Sequence, residues 1–168
     1  TRKNAFRVAG AVEAGLYDDR FKVEIIADGR HLPVGLLKLI YKCKGADKIC
    51  LITDAMRAAG LRDGEKSVLG RKDCGLPVIV EDEVAKTLDR QSFAGSVATT
   101  DRLVRVMLSA GIDLVNVSKM ASATPARVMG LNDRGSIEVG KKADLVIMNE
   151  RGEVLCVFKG GEVAFDKE

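Results

Sequence analysis

Lys48-Ile49-Cys50-Leu51-Ile52-Thr53-Asp54 is the stretch on which the fold turns. A near-continuous apolar run of this length reads as a strand buried on both faces, the pattern of a parallel sheet. It ends in a carboxylate. An acid at the C-terminal end of such a strand lies where α/β enzymes keep their chemistry. The plainer alternative is that Asp54 caps a following helix. The flanking sequence bears on the choice.

Upstream, Lys22–Ala27 reads as a second strand through Val23, Ile25, Ile26 and Ala27, and ends in Asp28-Gly29-Arg30-His31. Between the strands, Leu32–Lys44 carries apolar residues at helical spacing (Leu36, Leu37, Ile40, Cys43), with Pro33 in its first turn and Gly45 as terminator. Strand, helix and strand make one right-handed crossover, which sets the strands parallel with both C-terminal ends on one face. Asp28, His31 and Asp54 are therefore expected to converge.

Downstream, Ala55–Gly75 is rich in Gly and charge and reads as a long loop above the strand end, a position where lids and substrate walls occur. Leu76–Glu81 and Glu83–Thr87 read as a hairpin about an acidic turn. Ser96 is placed as the N-cap of a helix over Val97–Ala110, and Ala94-Gly95-Ser96 before it could offer backbone N–H groups to an anion or a substrate oxygen. Asp113 opens a helix to about Ser122, and Thr124-Pro125 opens another. Val8–Leu16 reads as a short helix. After Asn132 the character changes: Ser136–Val139, Ala143–Met148, Glu153–Lys159 and Glu162–Phe165 read as strands of a β module, with Gly160-Gly161 a hairpin turn.

Composition narrows the function. The 168 residues hold 27 Lys plus Arg against 24 Asp plus Glu, a net charge of +3, with no basic block and no Trp. That argues against nucleic acid as partner. No membrane-length apolar run and no N-terminal apolar targeting segment occurs. Cys43, Cys50, Cys74 and Cys156 form no CxxC pair and read as reduced thiols of a cytoplasmic protein. His31 is the single histidine, so a metal site built from several histidines cannot come from this chain alone.

Candidate site residues follow from these placements. Asp54 can serve as general base and then general acid. His31 can bind substrate, and Gly29 allows close backbone approach. Arg2, Arg7 and Arg30 are basic residues near the same face that could meet a phosphate, a weaker assignment because most arginines only solvate a surface.

The segments Glu24-Ile25-Ile26-Ala27-Asp28-Gly29-Arg30-His31, Leu51-Ile52-Thr53-Asp54-Ala55-Met56 with Gly60-Leu61 and Asp63-Gly64, Phe93-Ala94-Gly95-Ser96, Met120-Ala121-Ser122 with Thr124-Pro125-Ala126, and Gly135-Ser136-Ile137 with Gly140-Lys141 and Ala143-Asp144-Leu145-Val146 stand in the order found in N-acetylglucosamine-6-phosphate deacetylases. The chain resembles that family from about Val8 onward. The last segment is shared widely among amidohydrolases; five in register are specific.

The resemblance implies an α/β fold, the C-terminal part of a metal-dependent-hydrolase (β/α)8 TIM barrel (residues 1–132, with a loop/hairpin insertion near 65–92) and part of a small β-sandwich domain (residues 133–168). Lys48–Asp54 would be the last barrel strand. Asp54 would activate the metal-bound water that attacks the acetamide and then protonate the amine, giving glucosamine 6-phosphate and acetate. His31 would hold and polarise the substrate. Asp28, Gly29, Arg30 and His31, with Phe93, Ala94 and Gly95, would line the sugar-phosphate pocket. The divalent metal, of the zinc or iron class, would take its ligands from residues before Thr1 and none from this chain, so this segment alone is expected to be inactive. The family is commonly dimeric. Its Arg-Glu-Pro-Gly segment is replaced by Lys3-Asn4-Ala5-Phe6-Arg7, which makes Arg2 or Arg7 the substitutes for its phosphate-binding arginine and Arg30 a second compensating charge. A sister amidohydrolase acting on another amide and a non-catalytic binding or assembly fragment are the alternatives.

Overall fold

The computed structural model describes residues 10–167. The strand–helix–strand unit is present. Strand β1 (Val23–Ile25) and strand β2 (Ile49–Leu51) pair in parallel, Val23 with Ile49 through Ile25 with Leu51. Each regular strand is only three residues long, but the ladder continues where the Ile52 N–H donates to the Ile25 carbonyl at 3.0 Å. Helix α1 (Ala11–Tyr17) precedes the unit, and helix α2 (Val34–Lys44) joins its strands. Pro33 sits at the N-cap of α2, and Gly45, at φ +67°, ends it. A second layer lies on the strands: α3 (Thr100–Ser109) and a helical run through α4 (Leu114–Ser118), a π-helical turn (Lys119–Ala123) and α5 (Thr124–Val128). Ile25, Leu37, Ile49, Leu103, Met107 and Met120 are buried together between these layers.

The Ala55–Gly75 stretch is more ordered than its Gly content suggests. It contains strand β3 (Lys66–Leu69), which pairs antiparallel with β4 (Leu76–Glu81) and so extends the expected hairpin with β5 (Val84–Thr87) to three strands. The sheet is built on Val78 and Ala85, which bury with Ala94 against Met56 and Val97, beside the end of β2.

Three local expectations are corrected. Helix α3 begins at Thr100, with Thr99 at its N-cap, and Ser96 caps nothing. Ser96 is buried, and its hydroxyl accepts from the Ala98 N–H at 2.9 Å, a local turn that competes with helix. Thr124 is not a cap either. The chain is helical through it, its hydroxyl donates to the Ala46 carbonyl at 2.8 Å, and its N–H reaches back five residues to Lys119. That wider turn accommodates Pro125, which has no N–H for a regular helical bond. Finally, Ser136–Val139 is not a strand. The Ser136 hydroxyl donates to the Glu138 carboxylate at 2.6 Å, and Lys141 donates to the same carboxylate, which closes the segment into a turn and leaves Ile137 and Val139 exposed.

The remaining β module is an antiparallel sheet of β6 (Leu145–Met148), β7 (Val154–Lys159) and β8 (Glu162–Asp166). Gly160-Gly161 forms the β7–β8 turn with both residues at positive φ. All four cysteines are free, and burial raises the pKa of the Cys50 thiol.

Candidate active site

The pairing of β1 with β2 has a constant offset of 26 residues, as in Val23 with Ile49. Carried past the strand ends, the same offset sets Asp28 level with Asp54. The two loops thus leave the sheet side by side.

Asp28 is 1% exposed and fully engaged. Its Oδ1 accepts from the N–H groups of Arg30 and His31, both at 2.9 Å, and its Oδ2 lies 2.8 Å from His31 Nδ1. Gly29, at φ +76°, makes the turn that brings these amides back to the carboxylate. Burial pushes the Asp28 carboxyl up; the bonds from the His31 and Arg30 amides and the His31 ring outweigh it and hold the carboxyl below its ordinary value of 3.8. An ionised carboxylate only accepts, so His31 carries hydrogen on Nδ1 and Nε2 is left for a ligand. The Phe93 ring flanks the imidazole, centroid to centroid 5.1 Å at 59°.

Asp54 behaves differently. It is exposed, and no hydrogen bond reaches its carboxylate among the described residues. No helix follows it, so the capping alternative falls away. Its backbone sits at φ +46°, a left-handed conformation that Asp tolerates better than most residues. The strand-end segments are stitched together there: the Ser96 N–H donates to the Asp54 carbonyl at 3.2 Å, and the Met56 N–H to the Ser96 carbonyl at 2.9 Å. Gly95, at φ +84°, lies against Met56. A free, exposed carboxylate at the end of β2 can take a proton from water and return it to a leaving group.

Phe93 is brought against His31, but Asp28, expected to bind substrate, is buried with both carboxylate oxygens engaged, and the backbone groups of the Phe93–Ser96 segment are less free than expected. The Ala94 N–H donates to the Ala85 carbonyl at 2.8 Å, and the Ser96 N–H is committed to Asp54. With α3 beginning at Thr100, Ala94–Ser96 is not a helix N-terminus. Arg30 pairs with Glu83 at 3.3 Å. Arg2 and Arg7 lie outside the described residues. Among the described residues no group of three His, Cys, Asp or Glu is arranged to hold a metal ion, and no helix is long and apolar enough to cross a membrane.

Two residues not anticipated from the sequence belong to this region. Arg102, on α3, donates from Nε to the Asp28 carbonyl at 3.0 Å, and Glu83, at the β4–β5 turn, pairs with both Arg102 and Arg30. No local pattern marks either. Asp28 and Arg102 are 74 positions apart.

At the opposite end of β2 lies a cavity of about 400 Å³, lined by Asp47, Lys119, Arg127, Arg134 and Lys141. Its charges are largely neutralised within the chain: Arg127 pairs with Asp47, Arg134 with Asp133 and Lys141 with Glu138, each at 3.0 Å.

A model of the amidohydrolase family matches residues 7–164. The N-acetylglucosamine-6-phosphate deacetylase of Bacillus subtilis (strain 168) is 35% identical over 161 residues, which are 95% of this chain and 39% of that protein. The N-acetylgalactosamine-6-phosphate deacetylase of Escherichia coli O157:H7 is 36% identical over 160 residues, 94% of this chain and 41% of that protein. The crystal structure of N-acetylglucosamine-6-phosphate deacetylase from Thermotoga maritima superposes on 97% of this chain with a TM-score of 0.88 and 37% identity. The chain covers 44% of that structure, so it spans about two fifths of the length of each of these three proteins. Its α/β fold is the fold of these deacetylases over the shared part.

Proposed function

This chain belongs to the amidohydrolase family, and we propose that it is the C-terminal portion of an N-acetylglucosamine-6-phosphate deacetylase. Residues 1–132 then belong to the catalytic barrel, with 65–92 an insertion into it, and residues 133–168 are the C-terminal strands of the small β domain. The observation that carries the reading is the contrast at the two strand ends. Asp28 is buried, ionised and spent on holding His31, whereas Asp54 is exposed and without a hydrogen-bond partner among the described residues. One acid orients and the other is free to move protons.

In the proposed reaction Asp54 accepts a proton from water as that water's oxygen bonds to the acetamide carbonyl carbon. The same carboxyl then gives the proton to the nitrogen as the C–N bond breaks. Acetate and glucosamine 6-phosphate leave. His31 Nε2 meets a polar group of the substrate, Phe93 walls the pocket beside it, and Gly29 and Gly95 let backbone approach closely. Arg2, Arg7 and Arg30 are proposed to bias the approach of the phosphate. Arg30, paired with the well-exposed Glu83, contributes less than a free guanidinium would.

The family is generally metal-dependent. The described residues do not make a metal site, and their histidine is engaged by Asp28. A divalent metal of the zinc or iron class, which would sharpen the nucleophilicity of the water, is proposed to take its ligands from residues before Thr1. A cytoplasmic, dimeric protein is proposed for the whole.

The sugar has two candidates, because the relatives acting on the gluco and galacto epimers are 35% and 36% identical to this chain. Acetate release by the full-length protein should be compared on N-acetylglucosamine 6-phosphate, N-acetylgalactosamine 6-phosphate and unphosphorylated N-acetylglucosamine. The reading predicts the highest kcat/KM on the first and a loss of about tenfold or more without the phosphate. Preference for the galacto epimer would move the assignment to it. Absence of acetate release from all three would remove the deacetylase reading.

A further inference from the structure

We infer that Arg102 is a positioning residue for the Asp28–His31 pair, and that the Asp82–Glu83 hairpin tip fixes the guanidinium that does the positioning. All three guanidinium nitrogens of Arg102 are used. Nε donates to the Asp28 carbonyl at 3.0 Å, Nη1 to the Glu83 carbonyl at 3.3 Å, and Nη2 pairs with Glu83 Oε2 at 3.1 Å. The side chain is 17% exposed, so its stem and fork are largely enclosed. Asp28 follows β1, and its carbonyl opens the turn at Gly29. Holding that carbonyl fixes the Asp28–Gly29 peptide plane. On that plane depends whether the Arg30 and His31 amides return to the Asp28 carboxylate, and so where the imidazole points. Val106, one turn further along α3, packs close to Gly29 and supports the same loop.

The other end of the tie is set independently. Asp82 and Glu83 occupy left-handed backbone at φ +54° and +61°, a tight two-residue turn built without glycine. Each such residue costs about 1 kcal/mol or more unless its surroundings dictate it. They do: the Asp63 carboxylate accepts from the Asp82 N–H at 3.2 Å and from the Glu83 N–H at 3.4 Å. Arg30 reaches the Glu83 carboxylate from the loop side at 3.3 Å. A continuous path therefore runs from Asp63 through the hairpin tip to Arg102, the Asp28 carbonyl and His31. Lysine cannot replace this arginine, because a single ammonium cannot meet two carbonyls and a carboxylate in one plane.

The geometric part of the inference stands alone; its kinetic consequence rests on the deacetylase reading. Two measurements on the full-length protein test it. Hydrogen exchange reads the Arg30 and His31 amides directly, because both are bound to the Asp28 carboxylate. In Arg102→Gln and in Arg102→Lys these amides should exchange about tenfold faster or more, with α2 and the rest of α3 unchanged. With active enzyme, kcat should fall about tenfold while KM stays within about threefold, since substrate still enters but meets a misaimed imidazole. Unchanged exchange at Arg30 and His31 overturns the inference. Protection lost evenly through β1, α2 and α3 in both variants makes Arg102 a general structural residue and overturns it equally. If the unmodified protein releases no acetate, the functional reading fails and the exchange result alone decides the positioning.

Discussion

Asp28 and Asp54 show how burial assigns different work to the same side chain. Both follow parallel strands, yet one is enclosed with three donors on its carboxylate and the other stands free. The buried acid has a pH signature. Its folded pKa lies below the ordinary 3.8, so the unfolded chain binds the proton at a higher pH than the folded one. The stabilisation is fully present above that value and is lost as pH falls through the folded pKa. Asp28→Asn should therefore lower stability by about 1–3 kcal/mol at pH 6, and the gap to the unmodified protein should shrink at pH 3. Urea midpoints of both proteins at the two pH values measure this; a gap that is constant or grows in acid would refute the assignment. The contiguous Asp28-Gly29-Arg30-His31 placed Asp28 and His31 at one strand end in the sequence, but it assigned Asp28 to the substrate, and its burial against His31 was not legible there. Nor were Arg102 and Glu83, because each meets the loop only through the tertiary fold.

At the scale of elements, the β2 end is held by the crossing of two irregular segments. Gly95 is the tightest point, at φ +84°, where an added Cβ would lie 3.2 Å from Met56 Cγ. Gly95→Ala should cost about 1–2 kcal/mol of stability and loosen the Asp54–Ser96 tie. A thermal melt and an exchange measurement at the Ser96 amide check it; unchanged values for both would show that this crossing is not what fixes the strand end. The element readings divide by how local their cause is. Lys48–Asp54 and Lys22–Ala27 each contain one of the two parallel strands, shortened to Ile49–Leu51 and Val23–Ile25; the first was legible because a strand buried on both faces must be apolar, the second despite its exposed Glu24. Strand β3 was hidden, since Lys66–Leu69 is four residues long between glycines and gains its order from pairing with β4. Thr124-Pro125 carries every sign of a helix start, yet the π-helical turn lets the helix pass through. Ser136–Val139 alternates like a strand but closes on its own serine, glutamate and lysine.

For the whole molecule, the legible part was the class: a parallel crossover, helices on it and an antiparallel β module after Asn132. The order of the five family segments carried the rest, and the Thermotoga maritima deacetylase superposes across nearly the whole chain. Among the described residues no group of three His, Cys, Asp or Glu is arranged to hold a metal ion. Asp54 is the residue proposed to carry the proton from water to the leaving amine. The direct measurement is kcat for acetate release from N-acetylglucosamine 6-phosphate by the full-length Asp54→Asn variant. Loss of both water activation and proton delivery predicts a fall of about three orders of magnitude or more, with the fold intact by circular dichroism. Turnover near that of the unmodified enzyme would contradict the claim.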